Sequence, residues 1–409
     1  MSFIADLHIH SRYSIATSAD MAPENIWKWA QLKGITVVGT GDFTHPAWFA
    51  ELAGKLEPAG NGLFQLRRAY RQTEAVPGPC RSEVFFLLSA EISCVYRKYG
   101  RTRKVHCLVF FPDMESAAGL ASVLSKIGSI ASDGRPILKL DAADLLRMTL
   151  DISPEALFVP AHAWTPHFSL FGAASGFDSL EECFGDLSRH VRAIETGLSS
   201  DPPMNWRLSA LDDIALISNS DAHSPAKLGR EATVFAPDIS YGAMREAVIE
   251  SRHTLSTIEF FPEEGKYHYD GHRKCGVRFS PAETIGLNYR CPACGRRLTI
   301  GVAHRVELLA DRAPGERPAS AQGYRSLVPL SEVLSEVTGA GAAARAVRDA
   351  YSKLLSILGS ELRILLETPL GDIASAATPL LAEAIGRMRQ GKVLIAPGYD
   401  GEYGRIRIL

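Results

Sequence analysis

The segment FIADLHIH, residues 3–10, decides how the rest of the chain is interpreted. Its apolar start predicts a strand over residues 3–7, and His8 and His10 stand at the strand end. Because alternate residues of an extended chain point to the same side, both imidazoles face one way. Two ligands of one metal ion require that arrangement. On this segment alone, two ordinary histidines at a strand end remain the alternative.

Outward from this segment, residues 1–260 alternate between short apolar strands and helices. Such alternation predicts an α/β fold with a parallel sheet, open or closed into a barrel. The predicted strands are 3–7, 36–39, 84–88, 105–111, 157–159, 191–194 and 214–218. Helices are predicted over 23–33, 114–127 and 141–148.

Residues with metal-ligand side chains follow strand after strand. The carboxyl ends of parallel barrel strands meet at one rim, where catalysis takes place. Buried carboxylates are costly without a cation, so this pattern predicts a multinuclear metal site rather than core packing. The strand-end candidates are Asp42, His45, Glu91, His106, His162, Glu195, Asp221 and His223.

A second group of metal-ligand residues lies downstream. Cys291-Pro-Ala-Cys294 is a knuckle of two cysteines, and His272 and Cys275 repeat the same two-residue spacing. Together they predict a closed Cys3His zinc site, which is structural because no ligand position is open. His268 is the alternative fourth ligand, and free cysteines near the surface are the alternative to zinc.

The overall charge is close to neutral, with 44 basic and 46 acidic residues, net −2, and 46% hydrophobic residues. This composition indicates a folded protein and excludes one that coats nucleic acid by bulk positive charge. Local basic runs nevertheless predict contacts with DNA phosphates, while surface solvation is the alternative. The candidate DNA-binding residues are Arg97, Lys98, Arg101, Arg103, Lys104, Arg273, Lys274 and Arg296.

The cysteine pattern and the N-terminus predict a compartment. Seven cysteines, three of them clustered, are typical of a reducing compartment and not of a disulfide framework. The first residues lack the apolar core of a signal peptide, and no apolar run reaches the roughly 18–20 residues that span a bilayer. We therefore expect a cytoplasmic, nucleoid-associated protein without membrane contact.

The ordered set DLHIH at 6–10, Glu91, His106, PAH at 160–162 and NSDAH at 219–223 resembles the polymerase and histidinol phosphatase (PHP) superfamily. The resemblance implies a distorted (β/α)7 barrel with two or three divalent metals. It assigns the first metal to His8, His10, Glu91 and Asp221. Glu91 would bridge to a second metal on His106 and His162, and His223 would bind a third.

The chain departs from the superfamily pattern at the second strand. Many members have adjacent Asp and His there, whereas this chain has Asp42-Phe-Thr-His45. Asp42 and His45 are therefore separate metal candidates. Glu195 is expected to orient a ligand or to contact substrate. His223 or His45, where not ligated, would protonate the leaving oxygen.

Longer stretches resemble the endonuclease Q family: GTGDFTHP at 39–46, residues 195–209, residues 263–272, the CPACG knuckle and PGYDGEYG near the end. The resemblance implies a DNA repair endonuclease that cuts 5′ to deaminated bases (hypoxanthine, uracil, xanthine) and abasic sites. Damaged DNA is the expected partner, with a replication or repair protein as a further one. The expected cofactors are zinc, in the knuckle and in the catalytic cluster, with Mg²⁺ or Mn²⁺ as alternatives at the catalytic site.

The predicted organisation has three parts: a catalytic barrel over 1–263, an inserted or appended zinc-ribbon module over 264–312, and a mostly helical domain over 313–409. Two other functions remain open from the sequence. One is a small-molecule phosphoesterase of the histidinol phosphatase kind, which gives no role to a zinc module. The other is a non-catalytic DNA-binding module, which the intact set of ligands disfavours.

Overall fold

A mixed β-sheet flanked by helices carries the predicted metal ligands. The structure is a computed structural model and describes residues 2–236, 238–250 and 254–409. Its strands are β1 (Phe3–Asp6), β2 (Val37–Gly39), β3 (Leu56–Pro58), β4 (Phe64–Leu66), β5 (Phe85–Lys98), β6 (Arg101–Phe111), β7 (Ile137–Leu138), β8 (Leu157–Pro160), β9 (Ala193–Glu195), β10 (Ala215–Ile217), β11 (Ala232–Phe235), β12 (Ser256–Glu259), β13 (Asp270–His272), β14 (Val277–Phe279), β15 (Gly323–Ser326), β16 (Leu394–Ala396) and β17 (Arg405–Arg407).

Helices follow most of these strands and dominate the C-terminal part. They are α1 (Pro23–Lys33), α2 (Pro46–Lys55), α3 (Met114–Ser125), α4 (Ala142–Ile152), α5 (Leu180–Phe184), α6 (Pro202–Asn205), α7 (Tyr241–Ile249), α8 (Pro281–Gly286), α9 (Val302–Leu309), α10 (Leu330–Thr338), α11 (Arg345–Leu358), α12 (Glu361–Leu366), α13 (Leu370–Ala376) and α14 (Pro379–Arg389). Helix α1 has the bounds that the sequence predicts, with Pro23 in its first turn, where a missing N–H costs nothing.

The central sheet is mixed, although the sequence predicts a parallel one. β1 pairs in parallel with β2, and β2 pairs in parallel with β5. On its other side β1 is antiparallel to β11, which is antiparallel to β12. β9 and β10 form a separate parallel pair. The parallel prediction therefore holds for β1, β2 and the start of β5, and for the pair β9 and β10, but not for the whole sheet.

The β5–β6 hairpin is the main departure from parallel topology. β5 continues well past Glu91 to Lys98 and returns as β6, antiparallel along its length. Tyr99 and Gly100 form the two-residue turn with φ of 52° and 74°. Two left-handed residues match the twist of a tight hairpin, which can join only antiparallel strands. Glu91 therefore lies within a long strand instead of at its end.

Alternate positions of the strands bury one interior apolar cluster. Phe3, Ala5 and Leu7 pack in it with residues of β2, β5, β6, β8, β9 and β10. The opposite strand faces pack against the helices in a second, larger cluster. This period of two explains why the sheet forms, because the strands supply apolar residues to the clusters on both of their faces.

The C-terminal part is joined to the sheet and to helix α1. β15 pairs in parallel with β12 and so extends the central sheet. Lys33 of α1 forms a buried ion pair of 2.5 Å with Glu361, which also accepts a hydrogen bond from Tyr351. Because an unpaired buried charge is expensive, this contact fixes α1 against the C-terminal helices.

Residues 397–404 return to the predicted zinc module. The carbonyl of Gly398 accepts from the N–H of Tyr269, and the N–H of Gly401 donates to the carbonyl of Lys266. Asp400 accepts from the N–H of Arg273 at 2.7 Å. The end of the chain thus supports the module. Among the described residues, no helix is both long and apolar enough to cross a membrane.

Candidate metal centre

A single parallel bridge between Ile9 and Ala222 brings the two ends of the predicted barrel together. The N–H of His10 donates to the carbonyl of Ala222 at 3.0 Å. His8 and His10 flank one side of the bridge, as Asp221 and His223 flank the other. This register explains how ligand residues more than 200 positions apart in the chain meet at one point.

The first ligand group consists of His8, His10, Glu91 and Asp221, whose ligand atoms lie within 4.8 Å of one another. Nε2 of His10 lies 3.2 Å from Oε2 of Glu91 and 3.1 Å from Oδ1 of Asp221. Nε2 of His8 lies 3.5 Å from Oε2 of Glu91. Within the described part of the chain, both Nε2 atoms and Oδ1 of Asp221 are buried without a hydrogen-bond partner. Unpartnered atoms that converge in this way fit a divalent cation.

The second ligand group shares Glu91 with the first and adds His106 and His162. Oε1 of Glu91 lies 2.6 Å from Nδ1 of His106 and 3.1 Å from Nε2 of His162. Burial lowers the pKa of His106 to about 4, so its imidazole is neutral at pH 7 and available to a cation. The two oxygens of Glu91 thus face different groups, the geometry of a carboxylate that bridges two metals.

Glu195 orients His8 from behind and is not itself among the grouped ligand atoms. Nδ1 of His8 lies 3.1 and 3.0 Å from the two oxygens of Glu195. The same carboxylate accepts from the N–H of His162 and from Nδ2 of Asn219. A carboxylate behind a ligating imidazole fixes its tautomer and raises its basicity. Of the two roles expected for Glu195, this geometry fits the orienting one.

Asp42 holds His10 in the same way, which differs from its expected role as a ligand. Its Oδ1 lies 3.0 Å from Nδ1 of His10. Its Oδ2 accepts from the N–H and hydroxyl of Ser11 and from the hydroxyl of Ser14. Because both oxygens are filled, the structure places Asp42 behind a ligand and not in either ligand group.

His45 also lies outside both groups. Its Nδ1 accepts from the N–H of Trp48, so it caps helix α2, and its Nε2 contacts the carbonyl of Ala131. Both ring nitrogens therefore have partners away from the two ligand groups, which do not include this side chain. His223 differs: its ring lies 4.5 Å from that of His10, and its side chain is 33% exposed. It borders the centre and is partly exposed to solvent.

The charges of the first group explain its titration behaviour. Burial opposes protonation, yet Glu195 beside His8 and Asp42 beside His10 raise the pKa of both imidazoles well above the usual value. Burial likewise opposes ionisation of Asp221, but His8 and His10 hold its pKa far below the ordinary range. Protons on the imidazoles thus balance the carboxylates, and a divalent cation would displace them.

Three residues that build the centre have left-handed backbone conformations. Asp42, His162 and Asp221 have φ of 50°, 30° and 48°. Such conformations cost about 1–3 kcal/mol each in a non-glycine residue and persist only where the surroundings impose them. Next to His162, a side chain at Gly197 would lie 2.5 Å from the His162 Cβ. The strained backbone conformations here orient the side chains of the centre at a cost in stability.

The predicted zinc ligands His272, Cys275, Cys291 and Cys294 form a separate group within 4.8 Å. Burial raises the pKa of the Cys291 thiol, but the N–H groups of Ala293 and Cys294 offset this and bring it to about 7. A thiolate is thus accessible near neutral pH, as zinc binding requires. His268, the alternative ligand, is buried outside this group.

The candidate DNA-binding residues divide by exposure. Arg97 and Arg101 are exposed near the tip of the β5–β6 hairpin. Lys98 is held by the carbonyl of Cys183 and by Asp141, and Lys104 lies over the Phe168 ring. Arg273, Lys274 and Arg296 are exposed on the module that carries the zinc group.

Arg103 contradicts its expected role as a DNA contact. Its side chain is 5% exposed, and it donates to the carbonyl of Gly176 and to Glu182. The guanidinium also lies 4.2 Å from the centre of the Phe177 ring. Its guanidinium therefore holds the loop around residue 177 in place and is not available to phosphate.

Arg135 is the functional candidate that the sequence did not predict. Its guanidinium lies 3.2 Å from Oε2 of Glu91. It belongs to a turn, Ser-Asp-Gly-Arg-Pro at 132–136, and not to a strand end. The sequence offered one signal for Arg135: a cation in a turn sequence that follows the predicted strands 84–88 and 105–111.

Comparisons with known proteins agree with this geometry. The crystal structure of the lesion-specific endonuclease PfuEndoQ from Pyrococcus furiosus matches with a TM-score of 0.86 and 34% identity, covering 100% of this chain and 95% of that one. Endonuclease Q in complex with a 27-mer duplex substrate, which has an abasic lesion at the active site, matches with a TM-score of 0.84 and 33% identity, covering 100% and 97%.

A family model for the MJ0043 C-terminal domain matches residues 329–392. The uncharacterized protein MJ0043 of Methanocaldococcus jannaschii is 33% identical over 253 residues, 60% of this chain. The chain spans about a third of that relative's length, 31%.

An α/β fold that buries two ligand groups joined by one carboxylate defines a metal-dependent hydrolase. Within that class, the similarity to solved endonuclease Q structures along the whole chain identifies the family. The chain belongs to the endonuclease Q family.

Proposed function

We propose that this protein is a metal-dependent DNA repair endonuclease that hydrolyses the phosphodiester 5′ to deaminated bases (hypoxanthine, uracil, xanthine) and abasic sites. The products carry 3′-hydroxyl and 5′-phosphate ends. One observation carries the proposal: Glu91 joins two ligand groups in a chain similar over its full length to a lesion-specific endonuclease. The resemblance in sequence supplies the range of lesions.

The chain's own residues divide the work at the centre. His8, His10 and Asp221 would hold one cation, His106 and His162 a second, and Glu91 both. Bound cations lower the pKa of water and neutralise phosphoryl charge. Glu195 and Asp42 keep the two histidines of the first group in the tautomer that leaves Nε2 free.

Hydrolysis forms one bond from a water oxygen to phosphorus and breaks the bond from phosphorus to O3′. The water loses a proton and O3′ gains one. His223 borders the centre, and burial together with the neighbouring His10 lowers its pKa, which makes its protonated imidazole a stronger acid. We assign it to proton donation at O3′ or, where a third cation binds, to that cation.

We also propose a barrel for residues 1–263. The interior apolar cluster draws on seven strands, β1, β2, β5, β6, β8, β9 and β10, together with residues of β11 and helix α7. The bridge from Ile9 to Ala222 supports closure between the first and last of them. This set corresponds to a distorted (β/α)7 barrel, with the ligand groups at one rim.

We further propose a zinc-ribbon module over 264–312 and a mostly helical domain over 313–409. The convergence of His272, Cys275, Cys291 and Cys294 supports structural zinc, because the four side chains leave no open position. Arg97, Arg101, Arg273, Lys274 and Arg296 are the exposed cations that we assign to DNA phosphates. The proposed compartment is the cytoplasm, with association to the nucleoid.

End-labelled duplexes with a single deoxyinosine, uracil or abasic site test the function. Purified protein should nick beside the lesion with Mg²⁺, Mn²⁺ or Zn²⁺ and not with chelator, and an undamaged duplex of the same sequence is the control. Absence of metal-dependent nicking at every lesion would refute the proposal. Turnover of a phosphate monoester without nicking would favour the histidinol phosphatase kind of enzyme.

A further inference from the structure

Arg135 brings a positive charge to the metal-ligand groups. Among the described residues, it is the only Lys or Arg that forms an ion pair with Glu91 or Asp221. Its side chain is 26% exposed, so part of it is reachable from solvent. One guanidinium nitrogen contacts Oε2 of Glu91, and within the described part of the chain this side chain donates to no other acceptor. Its remaining donors are available to a ligand.

The turn that carries Arg135 is built against the metal centre. Oδ1 of Asp133 accepts from the N–H of Ile15 and from that of Arg135 itself. The N–H of Gly134 donates to the carbonyl of Tyr13 at 3.0 Å. Any side chain at Gly134 would lie 2.3 Å from Asp42, so only glycine permits this approach. The guanidinium is therefore held beside the centre by an ordered turn.

We propose that Arg135 is a catalytic residue that contacts a non-bridging oxygen of the scissile phosphate. This rests on the proposed function. Two divalent cations around Glu91 would bring four positive charges to a carboxylate that carries one negative charge. The guanidinium then loses its attraction to Glu91, and an entering phosphodiester restores it. Planar guanidinium donors match phosphate oxygens in pairs, which a lysine cannot do.

A purely structural role makes a different prediction. If Arg135 only balanced the buried charge of Glu91, its loss would change metal affinity and the stability of the metal-free protein. It would not change how the protein discriminates phosphate from hydroxyl at the cut. The nicked product separates the two roles, because it carries the phosphate without requiring chemistry.

The experiment compares wild type with Arg135→Gln and Arg135→Lys, and with Arg147→Gln as a control. Arg147 is an exposed arginine of α4 that pairs with Asp144. Fluorescence anisotropy in Mn²⁺ measures affinity for nicked duplexes with a 5′-phosphate or a 5′-hydroxyl at the nick. Nicking of an abasic duplex is measured alongside, circular dichroism checks folding, and calorimetry measures metal affinity.

Arg135→Gln should lose roughly 10- to 100-fold in the preference for 5′-phosphate and in kcat/KM, the range of hydrogen bonds to charged groups. Arg135→Lys should recover part of both, and Arg147→Gln should match wild type. Equal discrimination by wild type and Arg135→Gln, or no discrimination by wild type, would overturn the inference. If wild type nicks no lesion, the proposed function fails, and the binding comparison still decides the role of Arg135.

Discussion

The catalytic ligand groups and the zinc group are assembled in opposite ways. His8 and Asp221 lie 213 positions apart and meet only because the sheet brings them together. The zinc ligands lie within 23 residues, from His272 to Cys294, on a short hairpin and a knuckle. The catalytic ligands are mostly buried, whereas Cys294 is exposed.

This difference separates the consequences of metal loss. Hydrogen bonds that Glu195 and Asp42 accept hold the catalytic histidines independently of any cation. In the zinc group the ligands contact one another, as Sγ of Cys294 does at 3.5 Å from Nδ1 of His272. A small module without a large core takes its folding energy from the metal. We therefore expect metal removal to stop catalysis at one site and to loosen structure at the other.

The largest expected effect is that of Asp221→Ala. The substitution removes one ligand of the first group, so nicking should fall by about 10³-fold or more, the scale of losing a main electrostatic contributor. Circular dichroism should be unchanged, because the sheet does not depend on this side chain. Elemental analysis should still find the zinc ion that the cysteine group holds. Nicking at the wild-type rate would remove Asp221 from the site.

The buried carboxylate of Glu259, on strand β12, should make stability depend on pH. Burial raises the pKa of Glu259 to about 8, and its partners Thr196 and Ser218 hydrogen-bond one oxygen. A raised pKa means that stability is fully present below the unfolded pKa, near 4.5, and is lost as pH rises through about 8. Burial also raises the pKa of the neighbouring Glu231.

Glu259→Gln should therefore flatten this loss, which amounts to roughly 3–5 kcal/mol over that range. Urea unfolding at about pH 5, 7 and 8.5 measures it. The exposed Glu115 offers a control, since Glu115→Gln should keep the wild-type slope. An equally steep loss in Glu259→Gln would contradict the assignment.

A smaller effect is expected for Glu195→Gln, which keeps the shape of the side chain. The amide cannot accept from His8, from His162 and from Asn219 as the carboxylate does. Metal affinity of the catalytic centre should fall about 10- to 100-fold. Calorimetry with Mn²⁺ measures this, and zinc content should stay constant. A fall in zinc content with normal Mn²⁺ binding would mean that Glu195 supports the zinc group and not the catalytic centre.

Much of the site could be predicted from sequence because ligand pairs at strand ends follow a period of two. That rule places His8 with His10, and Asp221 with His223, on one face each from the order of residues alone. It does not separate ligands from the carboxylates behind them. Asp42 also follows a strand, and only the direction of its oxygens toward His10 and Ser11 shows its different place.

Other features depended on contacts between distant segments. Arg103 and Arg101 stand two residues apart on one strand, yet only Arg103 is buried, because the loop around Gly176 covers it. The turn carrying Arg135 has no strand-end pattern, and its position depends on Gly134 fitting beside Asp42. The antiparallel hairpin was signalled locally by Tyr99-Gly100, a turn sequence that the alternation of strands and helices obscured.

The smallest expected effect on catalysis comes from the zinc group and sharpens the comparison most directly. Cys291→Ser should lower zinc content by one ion per chain, because serine is a poor zinc ligand. The exposed cations of the module would lose their fixed positions, so DNA affinity should fall roughly tenfold, or about 1.4 kcal/mol. Nicking at saturating DNA should remain near wild type, since the catalytic ligands lie on other elements.

Cys80→Ser is the matched control: a buried cysteine outside the group, whose thiol donates to the Leu355 carbonyl as a hydroxyl can. Loss of nicking at saturation in Cys291→Ser, with Cys80→Ser intact, would show that the module acts in catalysis and not only in binding.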